Sequence, residues 1–443
     1  MAKLLELPSL RENEAAARGA LTKISRRKRL LIRIAEIILF PVVQVTNWLR
    51  RSDLLGHQGP VRKILVVEYW QLGDAIILLP FLQNLRRHYP QSEIVWLGNA
   101  RVLPLLNGQG GIDKAIPVRV PWAQHFSRWR KYNPFSLLWL ELARTLVLLR
   151  KERFDLALSG RMDIRDNLLL WLIGARRRVG FGVGGGGFLL TDVATPDLKH
   201  PHRSFSWLRL LEHIGGPVLE TRARLKLNKE QEETAERFAL SHGISSDEIV
   251  VGFHSGARIA SRGWGTANFI AALEQLQLDF PIRALWFDEP GASNVRPGPG
   301  DPTVRVSLPL DSFVAVLSRC DLLVCNDSGP MHMAEALGVP VVAVIGPTQP
   351  DWFGPTAKDS KVVYRPEFWC RPCFDYCIFD QPYCLRTISV ESVFEASARV
   401  IQAIAQKKSP LLRVAESQAG SSPPKGSEES IGKAPALTKH VIA

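Results

Sequence analysis

Short apolar runs of strand length alternate along most of the chain with longer stretches of helical periodicity. The first run covers residues 63–67, a helical pattern follows over 75–88, and a second strand is predicted over 93–97. This strand–helix–strand order is typical of a βαβ unit, whose two strands lie parallel. The same patterns predict a helix over 135–151 and a strand over 154–159.

A second alternation of strands and helices begins near residue 249, after a helix-rich connector over 228–243. Strands are predicted over 249–253, 283–287, 322–325 and 341–345, and helices over 267–277, 311–319, 330–337 and 390–405. A chain of 443 residues exceeds the usual size of one domain. We therefore predict an α/β fold with two doubly wound parallel domains, over residues 61–230 and 231–406.

The two ends of the chain differ from these domains in composition. Residues 1–60 carry eleven Lys and Arg against five Asp and Glu, which is nearly half of the net charge of +13. A basic cluster at 26–29 leads into an apolar stretch over 30–49 that begins too late for a cleavable secretion signal. Residues 407–443 are rich in Ser, Pro, Gly and Lys, and we predict that they are disordered.

The apolar stretch over 30–49 is interrupted by Arg33, Glu36 and Pro41. A charge at bilayer depth costs roughly 2.5–3.5 kcal/mol on insertion scales, which disfavours a true span. Basic flanks and Trp48 at the end favour a helix that lies on an anionic membrane surface. A helix docked on the protein itself is the alternative. No nucleic-acid-binding motif accompanies the positive charge, so we predict no nucleic acid partner.

A Gly–Asp pair, Gly73 and Asp74, follows the first strand at the start of a helix. Ligands of parallel α/β sheets bind beyond the carboxyl ends of the strands, and a glycine there allows close approach to the backbone. Asp74 is therefore either the cap of its own helix or an exposed general base.

Two further segments of the second half follow predicted strands. His254, Ser255 and Gly256 follow the strand over 249–253, and Arg262 precedes the next helix. Arginine forms charge-assisted, bidentate hydrogen bonds with phosphate oxygens, so this segment is a candidate anion site. A surface loop with a solvated arginine is the alternative.

The most specific motif is Asn326-Asp327-Ser328-Gly329-Pro330-Met331-His332, directly after a buried strand. Proline suits the first position of a helix, so the amides of a helix start and the polar side chains of Asp327 and Ser328 converge. Amides at a helix start attract phosphates, and a carboxylate with a hydroxyl suits sugar hydroxyls. Capping by Asp327 and packing by His332 are the structural alternatives.

Together these segments, with Gly338-Val-Pro340 and Gly346-Pro-Thr348, resemble glycosyltransferase family 9, the ADP-heptose:lipopolysaccharide heptosyltransferases. The resemblance covers residues 61–405. It implies a GT-B fold, in which two Rossmann-like domains face a central cleft, and inverting transfer of a sugar from a nucleotide diphosphate sugar. It also implies a lipid-linked or lipopolysaccharide-core acceptor, and a peripheral position on the cytoplasmic face of the inner membrane.

The resemblance assigns roles by position. Asp74 matches the catalytic base, and Arg262 takes the place of a Lys that contacts the diphosphate. The Asp-x-Gly turn of the family contacts the donor sugar and phosphates, and Asp327, Ser328, Gly329 and His332 match it. From their positions after strands, Gly73, His254, Ser255 and Gly256 are further candidate donor contacts. Glu289, just beyond the strand over 283–287, is a candidate ribose ligand, although Pro290-Gly291 also fits a solvated turn. The chain departs from the family at Glu68-Tyr69-Trp70, where the family often has an arginine.

Two other functions compete with glycosyl transfer. A Rossmann-type oxidoreductase is disfavoured because no Gly-x-Gly-x-x-Gly follows the first strand. A non-catalytic GT-B binding protein is disfavoured because Asp74, Arg262 and Asp327 are all retained. Metal-dependent transferases commonly carry Asp-x-Asp, which this sequence lacks, so no catalytic cofactor is predicted.

Four cysteines, Cys370, Cys373, Cys377 and Cys384, crowd into fifteen residues. Such a cluster is a candidate for a structural zinc or an iron–sulfur cluster. The spacing is irregular, so disulfides or simple packing remain alternatives. The glycine-rich run over 182–187 lacks the sequence context of a phosphate loop, and we predict a flexible loop near the cleft.

Overall fold

The computed structural model describes residue 22, residues 26–49, 59–106, 108–123, residue 133, and residues 135–288, 302–373 and 377–408. A long helix, α1 (Arg26–Leu49), precedes two α/β units. The first unit contains β1 (Lys63–Glu68), α2 (Leu72–His88), β2 (Glu93–Gly98), α3 (Leu103–Leu106), β3 (Lys114–Pro117), α4 (Leu137–Lys151), β4 (Leu156–Leu158), α5 (Ile164–Ile173), β5 (Arg177–Phe181), β6 (Asp192–Ala194) and α6 (Arg203–His213).

The second unit follows α7 (Lys229–Ser241), whose first turn contains the predicted domain boundary at 230/231. It consists of β7 (Ile249–His254), α8 (Thr266–Asp279), β8 (Ile282–Phe287), β9 (Val304–Val306), α9 (Leu310–Leu317), β10 (Leu322–Asn326), α10 (Gly329–Ala336), β11 (Val341–Val344), α11 (Pro350–Phe353), β12 (Lys361–Val363), α12 (Tyr383–Arg386) and α13 (Val390–Lys408).

Each unit is built on a six-stranded, wholly parallel sheet with the same strand order. The first sheet runs β3-β2-β1-β4-β5-β6, and the second runs β12-β11-β10-β7-β8-β9. In both sheets the chain reverses its direction of winding between the first and fourth strands of the unit, where such folds bind their ligands. The predicted doubly wound α/β fold is confirmed.

Most predicted boundaries shift by one or two residues, and two larger differences concern the site and the end of the chain. The helix α2 begins at Leu72 rather than at residue 75, because Gln71 and Asp74 form a capping box that extends the first turn. Gly73 and Asp74 therefore lie inside the helix. The last helix, α13, runs to Lys408, so residues 407 and 408 are helical rather than disordered. Residues 409–443 lie outside the described residues.

The glycine-rich run is not the flexible loop that the sequence predicts. Val183, Gly184, Gly185 and Gly186 are buried, and the Gly185 N–H donates to the carbonyl of Gly182 at 2.9 Å. This run receives the N-terminal helix α1. The backbone N–H of Gly186 donates to the Glu36 carboxylate at 2.7 Å.

One face of α1 docks on the first unit. It carries Ile32, Glu36, Phe40, Val43 and Asn47, at the spacing of three or four residues that aligns positions on a helix. Val43 is fully buried, the Phe40 ring packs on that of Phe188 at 5.7 Å, and Asn47 accepts from Arg178 at 3.4 Å. Arg27, Lys28, Arg29, Arg33 and Gln44 of α1 are exposed, and so is a larger apolar set: Leu30, Leu31, Ile34, Ile37, Ile38, Val42, Val45, Trp48 and Leu49.

The two units meet where the first turns of α2 and α10 face each other. A Cβ added at Gly73 would lie 2.5 Å from Cδ2 of His332, and one added at Gly329 would lie 2.9 Å from Cδ2 of Leu72. A side chain at Gly73 would overlap the His332 ring, and one at Gly329 would displace the end of the Leu72 side chain. The absence of two side chains therefore sets the separation of the two helix starts.

We expect Gly73→Ala to lower the free energy of unfolding by about 1–3 kcal/mol, the usual cost of overpacking. Alanine alone would favour the helix by up to about 1 kcal/mol, so the loss would report the clash with His332. Urea unfolding checks this, with Gly187→Ala as the control because its Cβ would meet nothing closer than 3.4 Å. A Gly73→Ala protein as stable as wild type would contradict the close approach.

Candidate active site

Asp74 lies in the first turn of α2, and both of its carboxylate oxygens accept hydrogen bonds. The Gln71 N–H donates to Oδ2 at 3.0 Å, and the Arg161 guanidinium donates to Oδ1 at 2.5 Å. The first contact is the capping interaction that the sequence offers as the alternative to a base. The side chain remains 18% exposed, so part of the carboxylate is accessible to solvent.

Arg161, which the sequence analysis did not single out, stands in the loop after β4. Its Nε donates to Glu68 Oε2 at 3.3 Å, and its Nη2 donates to Glu68 Oε1 at 3.4 Å. The guanidinium also lies 4.8 Å from the centre of the Trp70 ring. Because β1 and β4 are neighbours in the sheet, the residues that follow them meet at one edge. This rule of sheet topology is the signal by which Arg161 could have been identified from the sequence as a candidate site residue.

Glu68 ends β1 and is almost fully buried. Burial raises the pKa of Glu68 to about 7, and the charge of Asp74 adds to this rise while Arg161 opposes it. Asp166, at the start of α5, is also buried, and burial together with the charge of Asp163 raises its pKa to about 7. The first unit therefore places a mixed cluster of carboxylates and arginine beside Asp74.

On the second unit, Asn326 joins two of the predicted donor-binding segments. Its Nδ2 donates to the carbonyl of Ser255 at 2.8 Å and to that of Gly256 at 3.4 Å. Its Oδ1 accepts from the Trp264 N–H at 3.0 Å. The end of β10 thus holds the loop after β7 and the segment that contains Arg262 together.

Asp327 and Arg262 form the charged part of this arrangement. Their side chains lie 3.7 Å apart, and Thr348 donates to Oδ2 of Asp327 at 2.5 Å. Asp327 is buried, and Ser328 and Gly329 begin α10 with Pro330 in its first turn. A cation, a carboxylate and the amides of a helix start therefore surround one point, which suits a sugar bound to a phosphate.

The two predicted histidines take different positions. His254 is buried with its ring edge against Phe313, and burial lowers its pKa to about 4. It is therefore neutral at pH 7 and contributes no positive charge to an anion site. His332 is buried at the contact with Gly73 between the two units. Glu289 lies outside the described residues, and the neighbouring Asp288 pairs with Arg305.

Two further arginines border the cleft, and no sequence motif predicted either of them. Arg203, at the start of α6, stacks its guanidinium 4.8 Å from the Trp352 ring of the second unit. Burial lowers the pKa of Arg203 to about 10, and Arg161 adds to this effect. Arg371 donates from Nε to the carbonyl of Gly346 at 2.6 Å and stacks on Tyr364. The two guanidinium groups therefore place positive charge on both sides of the site.

The four clustered cysteines lie near Arg371, beyond the end of β11. The N–H of Cys373 donates to the carbonyl of Pro347 at 2.9 Å. None of the six cysteines, all of which lie in the described ranges, forms a disulfide. Burial raises the pKa of Cys384 to about 11, and the thiols of Cys370, Cys373 and Cys377 contribute to the shift.

Across the described ranges, no group of three or more His, Cys, Asp or Glu side chains is arranged to hold a metal ion. A zinc or iron–sulfur site at the four cysteines therefore stays a prediction.

Comparisons with known proteins agree on one family. The model of glycosyltransferase family 9 (heptosyltransferase) matches residues 140–383, more than half of the chain. Lipopolysaccharide heptosyltransferase 2 of Escherichia coli is 25% identical over 325 residues, covering 68% of this chain and 87% of that protein. Lipopolysaccharide heptosyltransferase 1 of Pseudomonas aeruginosa is 22% identical and covers 72% and 88%.

Solved structures share the fold. The glycosyl transferase family 9 protein of Veillonella parvula superposes with a TM-score of 0.58 at 23% identity, covering 77% of this chain and 97% of that one. The E. coli ADP-heptose lps heptosyltransferase II gives 0.56 at 22% identity, covering 77% and 100%. E. coli heptosyltransferase WaaC with ADP-2-deoxy-2-fluoro heptose gives 0.57 at 15% identity, covering 76% and 99%.

The GT-B architecture and the resemblance found in the sequence are thereby confirmed, and the oxidoreductase alternative is removed. The chain belongs to glycosyltransferase family 9, the heptosyltransferases, and is a glycosyltransferase.

Proposed function

We propose that the protein transfers a heptose from ADP-heptose to a lipopolysaccharide-core or other lipid-linked glycan, with inversion at the anomeric carbon and without a catalytic metal. One observation carries the proposal. The first turn of α2, which bears Asp74, faces the first turn of α10, where Asp327 and Ser328 begin the helix. A base and an anion site therefore lie on opposite walls of one cleft, as single-displacement transfer requires.

The donor occupies the second unit in this proposal. Arg262 and the amides at the start of α10 neutralise the negative charge that grows on the leaving diphosphate. Asp327, fixed by Thr348 and Arg262, accepts hydrogen bonds from donor hydroxyls. Fixed positive groups of this kind can supply the charge stabilisation that other transferases obtain from a divalent ion.

The acceptor approaches from the first unit. Asp74 takes the proton of the acceptor hydroxyl, whose oxygen forms a bond to the anomeric carbon. The bond from that carbon to the phosphate oxygen breaks, and its electrons leave with ADP. The relatives named as lipopolysaccharide heptosyltransferases, and the neighbour solved with an ADP-heptose analogue, support the choice of donor and acceptor.

We place the reaction at the inner face of the cytoplasmic membrane. Within the described residues, one helix, Arg27–Leu49, is long and apolar enough to cross a membrane. However, Glu36 and Asn47 bind the first unit along the length of α1, and a spanning helix would lose both contacts. The outward apolar surface and the basic residues Arg27, Lys28 and Arg29 instead support a helix that lies on an anionic bilayer.

Donor affinity should depend on Arg262. We expect Arg262→Ala to raise the Kd of ADP about ten- to hundredfold, because a hydrogen bond to a charged group contributes about 1.5–3 kcal/mol. Titration calorimetry checks this, with Arg319→Ala as a control since that arginine is exposed elsewhere on the same unit. Unchanged ADP affinity would remove Arg262 from the donor site.

Turnover should depend on Asp74. Asparagine keeps the shape and the capping oxygen, so we expect Asp74→Asn to fold and to bind ADP normally. Its kcat should fall about 10²- to 10⁴-fold, the usual contribution of a general base. Transfer kinetics and a melting curve check this. A normally folded variant with near wild-type turnover would show that Asp74 is only a helix cap.

Membrane binding should depend on the exposed face of α1. We expect Ile37→Gln, Ile38→Gln and Trp48→Gln combined to lower binding to phosphatidylglycerol vesicles at least about tenfold, because each loses apolar burial in the bilayer. High salt should weaken wild-type binding as well. Vesicle flotation checks this.

The matched control for that experiment is Leu240→Gln with Leu278→Gln, two leucines that are 81% and 85% exposed on other helices. Equal flotation of the α1 variant and this control would contradict the membrane role of α1.

A further inference from the structure

Arg161 is shared between two carboxylates that belong to different parts of the first unit. Its Nη2 reaches both Asp74 Oδ1, at 2.5 Å, and Glu68 Oε1, at 3.4 Å, while its Nε reaches Glu68 Oε2 at 3.3 Å. One guanidinium therefore joins the end of β1 to the first turn of α2. The proposed base accepts one of the bonds from this group.

The position of this guanidinium is fixed from several sides. Glu68 is 3% exposed and leaves little room for movement, and the Trp70 ring covers one face of the guanidinium at 4.8 Å. The loop that carries Arg161 is also held, because a Cβ at Gly160 would lie 2.5 Å from the Trp207 ring. The arginine is therefore a fixed donor rather than a mobile surface side chain.

The Asp74 carboxylate is in turn oriented by two donors. Gln71 N–H holds Oδ2, and Arg161 holds Oδ1. A carboxylate oxygen has two acceptor sites, so Oδ1 can bind Arg161 and still accept a proton from a substrate hydroxyl. Orientation of this kind is what a general base needs before the acceptor binds.

A full positive charge beside a base also has a cost, since it stabilises the unprotonated form and weakens the base. Glu68 offsets that cost because its negative charge is shared with the same guanidinium. The charges that face this group from neighbouring elements are Asp166 on α5 and Arg203 on α6, while Asp163 and Arg165 lie near Asp166. His332 lies across the cleft at Gly73.

We propose that Arg161 is a positioning residue that aims the Asp74 carboxylate at the acceptor hydroxyl, and that Glu68 keeps this arginine from weakening the base. The proposal rests on the proposed catalytic role of Asp74. Nothing in the sequence motifs assigns a role to either residue, and the pair depends on the adjacency of β1 and β4.

The proposal gives kcat a characteristic dependence on pH. Burial raises the pKa of Glu68 to about 7, so Glu68 is neutral well below that pH and charged above it. Its balancing effect on Arg161 is therefore present at pH 8 and largely lost at pH 6. A Glu68→Gln variant lacks the effect at every pH.

The experiment measures kcat from pH 6 to pH 8.5 with ADP-heptose and two deacylated lipopolysaccharides, one without heptose and one with a single heptose. We expect the ratio of wild-type to Glu68→Gln kcat to rise several-fold between pH 6 and pH 8. We expect Arg161→Met to lower kcat at least tenfold and to move the acid limb of the profile to higher pH, because Glu68 and Asp74 then face each other without a shared cation. The KM of ADP-heptose should stay within twofold of wild type.

Arg161→Lys should recover part of the loss, since one ammonium can hold Asp74 but cannot bridge both carboxylates in the same way. The matched control is Arg176→Met, which removes an arginine paired with Asp155 at 3.0 Å on the same unit. It should leave kcat and the pH profile unchanged. If Arg161→Met fails to fold, kcat is measured instead for the double variant Arg161→Met with Glu68→Gln. In that variant the buried Glu68 carboxylate is no longer left without its arginine.

Two outcomes would overturn the proposal, and they lead to different conclusions about the proposed function. If Asp74→Asn abolishes turnover while Arg161→Met keeps the wild-type kcat and pH profile, the positioning role is wrong and the proposed function stands. If Asp74→Asn turns over like wild type, the proposed base is wrong and the role of Arg161 falls with it.

Discussion

The site depends on the absence of two side chains where the units meet. Gly73 faces the His332 ring, and Gly329 faces Leu72, so the first turns of α2 and α10 approach more closely than any side chain at those positions would allow. Both helices begin at the point where their own sheets reverse the direction of winding. Asp74, the proposed base, and the proposed anion site at the start of α10 are therefore brought together by backbone geometry.

The arrangement of the charged groups follows from the same topology. In the first unit, Glu68 at the end of β1 and Asp74 beyond it meet Arg161, which lies beyond β4. In the second unit, Asn326 at the end of β10 and Asp327 beyond it meet Ser255 and Gly256 after β7, and Thr348 lies beyond β11. The N-terminal helix α1 is attached close to the charged residues of the first unit. Lys28 lies 3.6 Å from Asp163, two residues beyond Arg161, so a membrane-bound α1 would bring the side of the cleft to which we assign the acceptor near the lipid surface.

Much of the fold and half of the site could be predicted from the sequence. The central strands β1, β7 and β10 are buried on both faces, and their continuous apolar runs identify them without further context. Gly73, Asp74, Arg262 and Asp327 follow or adjoin such strands, so their convergence could be inferred. The short strands β6, β9 and β12 have three residues each and little apolar signal, because they lie at or near sheet edges.

The features that could not be predicted depend on contacts between parts of the chain that are far apart in sequence. Arg161 binds Asp74 and also Glu68, which lies 93 residues earlier in the sequence, and no local motif indicates either contact. The glycine-rich run was predicted to be a flexible loop. Its partner Glu36 lies 150 residues away in the sequence, so the local sequence does not indicate the contact. His254 is the last residue of β7 in the structure rather than the first after it, and its ring packs into the core against Phe313.

The central claim is that one carboxylate, Asp74, drives a single displacement across the cleft. The anomeric configuration of the transferred heptose tests this claim most directly, and the one-bond carbon–proton coupling constant at the anomeric carbon of the product reports it by NMR. A single displacement predicts a configuration opposite to that of the ADP-heptose donor. Retention of the donor configuration would contradict the account, because it requires a different mechanism from the one in which Asp74 acts only as a base.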